Sequence, residues 1–334
     1  MNKLFKSNNA NQLYLKALRQ LLNEPDQLYS NEESNNSNPA GKLYSEMINT
    51  KMVLTDPRDR FISVRNMSMK YMMGEFIFYM KGSNLLKDIS KYSSFWNKIS
   101  DDGVHVNSGY GYKMFSTNID GIRGALSQYE LAITNLLRNI NSKRAVVLIN
   151  TPSDSRLDTK DTPCTMFLQF NVIHNKLHMT TYMRSNDIFF GVPYDIGFFT
   201  MLHEFTYIIL KYTKYPEIRL GSYTHSIGNL HMYYKDRDKL TDILEEHGDL
   251  AFESLNPLQI ERLKELHIPF PEMTINTYKQ LYYLLKFEEN TKNFYQNKLS
   301  DLFLVAVAKY AGLYEDSEHP HINIIDEERI LTWR

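Results

Sequence analysis

The sequence predicts an α/β protein of the α+β kind, in which helices flank a mixed β-sheet and a helical extension follows at the C-terminus. Two strand-like runs, 166–173 and 177–183, are joined by His174-Asn175-Lys176, which is typical of a tight hairpin turn. A strongly apolar helix follows at about 196–212, and helical periodicity returns near the C-terminus, most clearly at 278–287 and 299–310.

The other elements follow from the spacing of apolar residues. Leucines at helical spacing predict a helix at 11–23, and the polar stretch 30–39 predicts a surface loop. Ser68–Met80 is apolar nearly all round and predicts a buried helix that ends at Gly82. Further predictions are a helix at about 120–140, a strand at 145–150, a lead-in segment at 191–195 and a strand at 227–234. We divide the chain into an N-terminal helix and polar loop (1–44), a core (45–244) and a helical extension packed on the core (245–334).

Composition excludes several classes of protein. The 334 residues include 38 basic and 39 acidic side chains, so no net charge attracts nucleic acid or an anionic membrane. A single cysteine excludes intrachain disulfides and multi-cysteine metal sites, and we expect no metal. The start lacks the apolar run of a signal peptide, and no apolar run is long enough to span a bilayer. We therefore expect a cytoplasmic protein.

Cys164 and Arg184 are the first candidates for chemistry. Cys164 stands at the start of one hairpin strand, and Arg184 follows the end of the other. A nucleophilic thiolate needs nearby positive charge, which Arg184 could supply. An arginine buried at a strand end needs an anionic partner: the thiolate, a phosphate or a carboxylate such as Asp187. The alternative for Cys164 is a small buried apolar side chain.

Six blocks of sequence, in order, resemble the thymidylate synthase family over about residues 45–240. Pro163-Cys164-Thr165-Met166-Phe167-Leu168-Gln169-Phe170 resembles the strand that carries the family's nucleophile. The other blocks are 73–82 (Met-Gly-Glu-Phe-Ile-Phe-Tyr-Met-Lys-Gly), 107–111 (Asn-Ser-Gly-Tyr-Gly) with 142–144 (Ser-Lys-Arg), 184–187 (Arg-Ser-Asn-Asp), 191–196 (Gly-Val-Pro-Tyr-Asp-Ile) and 231–233 (His-Met-Tyr).

The resemblance implies a homodimer that binds a pyrimidine nucleoside monophosphate and 5,10-methylenetetrahydrofolate. Cys164 would attack carbon 6 of the pyrimidine. Arg184 and Ser185 would hold the phosphate, joined from the partner subunit by Lys143 and Arg144. Lys143 replaces the family's arginine with a point charge. Arg58 would be a further phosphate ligand from a loop, although Arg60 competes for that role.

The resemblance also assigns the sugar, the folate and the proton transfers. His231 and Tyr233 would bind the sugar hydroxyl, and Asp187 the pterin ring of the folate. Glu75 would organise water and protons beside the base, and its apolar surroundings should raise its pKa. Trp96 and Tyr110 are expected near the folate or the base. The alternative for His231, Tyr233, Trp96 and Tyr110 is simple packing.

Asp195 departs from the family, which has asparagine there. Uracil offers an acceptor at carbon 4 and a donor at nitrogen 3, which an amide satisfies. Cytosine offers an amino donor at carbon 4 and an acceptor at nitrogen 3, which suit a carboxylate with a shared proton. Mispaired buried polar groups cost about 1–3 kcal/mol, so Asp195 predicts a cytosine base. The alternative is that Asp195 caps the following helix.

Thr165 is a second departure, because thymidylate synthases have histidine after the cysteine. Cys164-Thr165 resembles the deoxycytidylate hydroxymethylases of large phages, as do residues 183–187, Asn107-Ser108 and 228–231. In those enzymes water, not hydride, completes the reaction. The resemblance implies 5-hydroxymethylation, with dCMP favoured and CMP close behind. A dUMP hydroxymethylase, a divergent thymidylate synthase and a non-catalytic nucleotide-binding protein stay as alternatives.

Overall fold

The central feature of the fold is one large mixed β-sheet. The computed structural model describes residues 3–31, 43–119, 122–123, 126–154, 158–277 and 302–312. Within these ranges the strands are β1 (Leu4–Ser7), β2 (Gln27–Asn31), β3 (Leu43–Leu54), β4 (Asn118–Ile119), β5 (Ile122–Arg123), β6 (Val146–Leu148), β7 (Thr165–Ile173), β8 (Lys176–Met183), β9 (Asn186–Asp187) and β10 (Arg219–Tyr233). The helices are α1 (Ala10–Asn23), α2 (Met69–Met80), α3 (Leu86–Ile89), α4 (Phe95–Ile99), α5 (Tyr110–Phe115), α6 (Gln128–Arg138), α7 (Gly191–Thr213), α8 (Arg237–His247), α9 (Pro257–Leu266) and α10 (Leu302–Tyr310).

The sheet has the order β1-β3-β10-β8-β7-β6, with β2 added on β3 and β9 on β10. The long strand β10 pairs antiparallel with β3 and parallel with β8, which makes the sheet mixed as predicted. The predicted hairpin is confirmed. His174 and Asn175, at φ angles of 50° and 57°, form its turn, which matches the right-handed twist of the two strands.

Helix α7 packs against the sheet and is buried along most of its length. It begins at Gly191, so the prediction that 191–195 only leads into the helix was wrong. Proline usually interrupts a helix, so Pro193 favoured a later start. In a first turn, however, proline is tolerated, because the amide that it replaces has no intrahelical acceptor. Asp195 therefore lies within the helix.

Two other predicted boundaries were wrong. Helix α6 begins at Gln128, not near residue 120, because Ser127 and Glu130 form a capping box there. Residues 118–119 instead pair with 122–123 as a short hairpin. Strand β10 begins at Arg219, eight residues before the predicted start at 227, because its polar residues hide the strand pattern.

Helices α1 and α2 confirm their predictions. The side chain of Ser68 caps α2, and Gly82, at a φ of 69°, ends the segment. Residues 72–80 are buried on all sides. Helix α10 of the C-terminal extension packs on α2, with the rings of Phe76 and Phe303 at 6.1 Å.

Parts of other predictions fall outside the described ranges. The helix predicted at 278–287 and most of the polar loop at 30–39 lie there, while α10 confirms most of the helix predicted at 299–310. The division of the chain at residues 44 and 244 stays a prediction. Across the described part of the chain, no helix has the length and apolar character needed to span a bilayer.

Candidate active site

Cys164 and Arg184 lie side by side because β7 and β8 are antiparallel. Thr165 pairs with Met183, and the backbone amide of Arg184 donates to the carbonyl of Cys164 at 2.8 Å. The guanidinium donates to the carbonyls of Pro163 (3.1 Å) and Thr162 (2.9 Å). Arg184 is exposed, so the expectation of a buried arginine was wrong. Its side chain lies along the surface of the loop before Cys164.

No carboxylate pairs with Arg184 in the described ranges, and the alternative of a salt bridge to Asp187 was wrong. The Asp187 carboxylate instead accepts from the amide of Phe189 at 2.7 Å. Among the described residues, the guanidinium of Arg184 meets only carbonyl oxygens, which do not neutralise its positive charge beside the cysteine. This is the charge state that an anionic ligand requires.

The thiol of Cys164 is only partly exposed, and burial raises its pKa above 9.0. The Arg184 guanidinium opposes this rise, whereas the carboxylates of Asp195, Asp161 and Asp187 add to it. The expected cation is therefore present, but burial raises the thiol pKa by more than Arg184 lowers it. The resting side chain is a protonated thiol at neutral pH.

Strand β9 brings the predicted phosphate, sugar and folate residues together. Its pairing with β10 sets Asp187 opposite His231. The hydroxyl of Ser185 lies 3.2 Å from Nδ1 of His231, and the rings of His231 and Tyr233 are 5.0 Å apart. Burial raises the pKa of Asp187 to about 6. Ser185, Asp187, His231 and Tyr233 thus form one group at the carboxyl end of β10.

Asp195 is half-buried, and its carboxylate accepts from the side-chain amide of Asn186 at 2.6 Å. Burial raises its pKa to about 7, and the hydrogen bond from Asn186 opposes the rise. The alternative role of Asp195 as a helix cap was wrong, because the helix has already begun at Gly191. The side-chain carbonyl oxygen of Asn186, Oδ1, is buried and has no hydrogen-bond partner among the residues described.

Glu75 is buried in α2, and burial raises its pKa to about 8, in the expected direction. The nearby Asp195 carboxylate adds to the rise. Two phenols oppose it: Tyr71 donates to Oε1 of Glu75 at 2.8 Å, and Tyr79 donates to the same oxygen at 3.3 Å. The indole of Trp96 donates to the Tyr71 hydroxyl at 3.1 Å.

Tyr110 completes this group from α5. Its ring stacks on Tyr79 with centroids 5.0 Å apart, and Thr165 hydrogen-bonds its hydroxyl. Burial raises the pKa of Tyr110, and the charges of Asp195 and Cys164 add to the rise. Cys164, Asp195, Glu75 and Tyr110 therefore act on one another electrostatically, as a single site requires.

Two buried carboxylates hold α5 in place. Asp161, three residues before Cys164, accepts from the backbone amide of Ser108 at 2.8 Å and from its hydroxyl. Asp154 accepts from the ammonium of Lys113 at 2.8 Å. The segments on both sides of Tyr110 are thereby fixed to the loop that leads to Cys164.

Within one chain, the three other predicted phosphate ligands (Arg58, Lys143 and Arg144) and the competitor Arg60 do not join the group around Cys164. Arg58 pairs with Glu204 (2.9 Å) and Glu272 (3.0 Å), and Arg60 is buried against Glu204. Lys143 and Arg144 are exposed and precede β6, whose Val146 pairs with Gln169. At about 3.3 Å per residue, that register puts Arg144 roughly 20 Å along β7 from Cys164.

Sequence reasoning missed Asn186, Tyr71, Tyr79 and Asp161. Tyr71, Glu75 and Tyr79 follow one another at helical spacing of four, a signal that could have placed both phenols beside the acid. Nothing local in the sequence pairs Asn186 with Asp195, because the contact depends on where α7 begins. The indole N–H of Trp96 is used by Tyr71, and its role toward the folate stays a prediction.

Comparison with known proteins agrees with this architecture. The family model described as thymidylate synthase matches residues 12–298. The chain is 26% identical to a deoxyuridylate hydroxymethyltransferase of Bacillus phage SP01, over 81% of this chain and 69% of the relative. It is 29% identical to a deoxyuridylate hydroxymethyltransferase of Delftia phage PhiW-14, over 59% of this chain and 55% of the relative, so it spans little more than half of that protein.

A solved structure shares the fold. The thermostable thymidylate synthase A from Bacillus subtilis is 21% identical and aligns with a TM-score of 0.57, over 70% of this chain and 83% of that chain. With the family model covering most of the chain, the assignment is direct. This protein belongs to the thymidylate synthase family.

Proposed function

We propose that the protein transfers a hydroxymethyl group to carbon 5 of a cytidine nucleoside monophosphate, with dCMP ahead of CMP. The one-carbon donor is 5,10-methylenetetrahydrofolate, and water supplies the hydroxyl oxygen. Family membership supports a pyrimidine nucleotide substrate, and the names of the two phage relatives support hydroxymethyl chemistry. The choice of cytosine rests on the pair of side chains formed by Asp195 and Asn186.

The Asp195–Asn186 pair is the observation that carries the proposal. Asn186 donates to Oδ2 of Asp195 at 2.6 Å, which fixes the carboxylate, and Oδ1 of Asp195 receives no hydrogen bond from a described residue. This carboxylate can accept from the amino group of cytosine, whereas its lone pairs would repel the carbonyl oxygen of uracil. With a pKa of about 7, Asp195 can also hold the proton that nitrogen 3 of cytosine requires.

The chain's own residues divide the remaining work. Arg184 and Ser185 bind the phosphate, and His231 and Tyr233 the sugar. As the sulfur of Cys164 bonds to carbon 6 of the pyrimidine, the π bond between carbons 5 and 6 breaks toward carbon 5, and the thiol proton passes to water. Because burial raises the thiol pKa, this proton transfer needs the bound substrate and Arg184. Glu75, with a pKa of about 8, exchanges protons beside the base at neutral pH.

The carboxylate of Asp187 is the kind of hydrogen-bond acceptor that the pterin ring of a folate requires. A pterin offers an amide N–H and an amino group, and the half-buried carboxylate of Asp187 is an acceptor for them. Phe189, whose backbone amide donates to Asp187, has the Arg65 guanidinium 3.7 Å from its ring centroid. When bound, methylenetetrahydrofolate supplies the carbon that becomes the hydroxymethyl group.

Lys143 and Arg144 act in this proposal from the partner subunit of a homodimer. Their distance from Cys164 along β7 supports this arrangement, because they cannot reach the site of their own chain. Mixing the inactive variants Cys164→Ser and Arg144→Ala tests it. A heterodimer would contain one intact site, so activity should return to about a quarter of the wild-type value. Two variants that stay inactive on mixing would contradict the shared site.

The second candidate is hydroxymethylation of dUMP, which the names of both phage relatives favour. That function requires that Asp195 does not face the base. The two candidates predict different substrates with the same cofactor chemistry, so product analysis separates them.

The test is a panel of substrates with mass spectrometry of the products. The protein is incubated with methylenetetrahydrofolate and, separately, dCMP, CMP, dUMP and UMP. We expect a hydroxymethyl mass gain on a cytidine nucleotide, with tetrahydrofolate released. A hydroxymethyl gain on dUMP alone would favour the second candidate, and a methyl gain on dUMP with dihydrofolate would show a thymidylate synthase.

A further inference from the structure

Glu75 is held asymmetrically by two phenols of its own helix. Tyr71 and Tyr79 lie one turn before and one turn after it, and both donate to the same oxygen, Oε1. Oε2 receives no hydrogen bond from any residue that the structure describes. The carboxyl group therefore has one oxygen bound by the protein and one available to a ligand.

Each phenol is itself fixed. The Tyr71 hydroxyl accepts from the indole of Trp96 at 3.1 Å, so its own proton is directed at Glu75. The Tyr71 ring meets Tyr194, the residue before Asp195, edge to face at 4.8 Å. The Tyr79 ring is stacked on Tyr110 at 5.0 Å and lies 4.7 Å from Phe198. These ring contacts hold both phenol oxygens within hydrogen-bonding distance of Oε1.

We propose that Tyr71 and Tyr79 are positioning residues that bind Oε1 of Glu75 and leave Oε2 as the atom that exchanges protons with the pyrimidine or the attacking water. This inference rests on the proposed function, in which Glu75 handles protons beside the base. A carboxylic acid that accepts two hydrogen bonds on one oxygen carries its proton on the other. When the O–H bond on Oε2 breaks, its electron pair stays on the carboxylate. The two phenols then stabilise that charge.

The chain offers a matched control in Tyr92. Its ring packs against Gly74, the residue before Glu75, and its buried hydroxyl has no partner in the described part of the protein. Tyr92→Phe therefore removes a phenol oxygen near the same helix without removing a hydrogen bond to Glu75. Tyr79→Phe is the cleaner of the two test variants, because Tyr71→Phe also deprives Trp96 of its acceptor.

The experiment measures the protonation of Glu75 directly. Infrared difference spectra of the full chain against Glu75→Gln isolate the stretching band of the protonated carboxyl, and its intensity is followed against pH. Phenol donation favours the charged carboxylate. Its loss should therefore move the titration midpoint to higher pH, by about one pH unit for Tyr79→Phe. The pH profile of kcat should move in the same direction.

Tyr92→Phe should titrate like the wild type. Equal midpoints in Tyr71→Phe, Tyr79→Phe and Tyr92→Phe would overturn the inference, even if all three lose activity, because a purely structural role would not move the midpoint. The infrared titration needs no substrate. A wild-type protein that makes no hydroxymethyl product would therefore refute the proposed function without deciding the role of the two tyrosines.

Discussion

At the scale of single residues, the site combines a cysteine that burial keeps protonated with a cation that opposes this effect. Arg184 binds the carbonyls of the Cys164 loop and pairs with no carboxylate in the described ranges. Its charge is therefore available both to the thiol and to a phosphate. In the proposed function, this double use allows a protein of net charge -1 to bind an anionic nucleotide.

Replacement of Arg184 by glutamine should slow the alkylation of Cys164. Loss of the guanidinium removes the group that lowers the thiol pKa, so less thiolate is present at a given pH. We expect roughly a three- to tenfold lower rate with iodoacetamide at pH 8. The measurement is unambiguous because the chain has one cysteine. Arg219→Gln is the control, because Arg219 lies beside the hairpin turn at the opposite end of β7 and β8, where its backbone amide donates to the carbonyl of Asn175. An equal rate in both variants would contradict the proposed role of Arg184.

The pH dependence of stability tests the burial of Glu75. Its pKa rises from 4.5 to about 8 on folding, so between these values the folded state holds a proton that the unfolded state has lost. Stability attributable to Glu75 is therefore highest below pH 4.5 and falls as the pH rises toward 8. Relative to wild type, Glu75→Gln should gain about 3–4 kcal/mol in free energy of unfolding between pH 5 and pH 8.

Urea unfolding at the two pH values, at one protein concentration, measures this gain. Asp195 and Asp187 also have raised pKa values, so they make the free energy of unfolding fall with rising pH in both proteins. The role of Glu75 is therefore measured by the difference in free energy of unfolding between variant and wild type. Parallel pH dependences would show that Glu75 is not held in a low-dielectric environment.

At the scale of elements, the site depends on the close approach of α2 and α5. A Cβ atom on Gly111 would lie 1.8 Å from the carbonyl oxygen of Tyr79, so only glycine allows this contact. The approach stacks Tyr79 on Tyr110 and so joins the Glu75 group to the Cys164 loop.

Gly111→Ala should therefore separate the two helices. We expect a loss of about 3 kcal/mol in free energy of unfolding, measured with urea, because the backbone must shift to admit a methyl group. Gly248→Ala is the control: there the nearest atoms are side-chain carbons of Leu244 at 3.2 Å and 3.3 Å, which can move. A stability equal to that of the control would show that α2 and α5 separate without cost.

The sequence predicted the elements whose pattern is local. The hairpin of β7 and β8, α1 and α2 follow from periodicity and turn residues. The first half of β10 could not be predicted, because Ser222, Thr224 and Ser226 are polar and the strand is defined by its partners β3 and β8. The start of α7 was missed because Pro193 is compatible with both a loop and a first turn.

The candidate site was predicted less evenly than the fold. Motif resemblance identified Cys164, Glu75 and Asp195, and the structure places them in one electrostatic group. The Asn186–Asp195 contact joins β9 to α7 and is invisible until both boundaries are known. Asp161 was missed because its partner Ser108 is 53 residues away.

At the scale of the whole molecule, the fold supplies the site from several layers. The sheet carries Cys164, Arg184 and His231 at strand ends, α7 carries Asp195, and α2 carries Glu75. The C-terminal extension supports α2 through Phe303 and pairs Glu272 with Arg58. It thus contacts both the helix that carries Glu75 and a predicted phosphate ligand. This gives the extension a structural role beside the site, and its Glu272 joins Glu204 in pairing with Arg58.

Competition between two substrates tests whether Asp195 recognises cytosine. Equimolar dCMP and dUMP are incubated in one reaction with methylenetetrahydrofolate, and the ratio of hydroxymethylated products is measured for wild type and Asp195→Asn. We expect the wild type to favour dCMP, and the variant to shift the ratio toward dUMP by about 10- to 100-fold, because an amide can donate to the oxygen at carbon 4. A wild type that prefers dUMP, with a ratio that Asp195→Asn leaves unchanged, would contradict the claim.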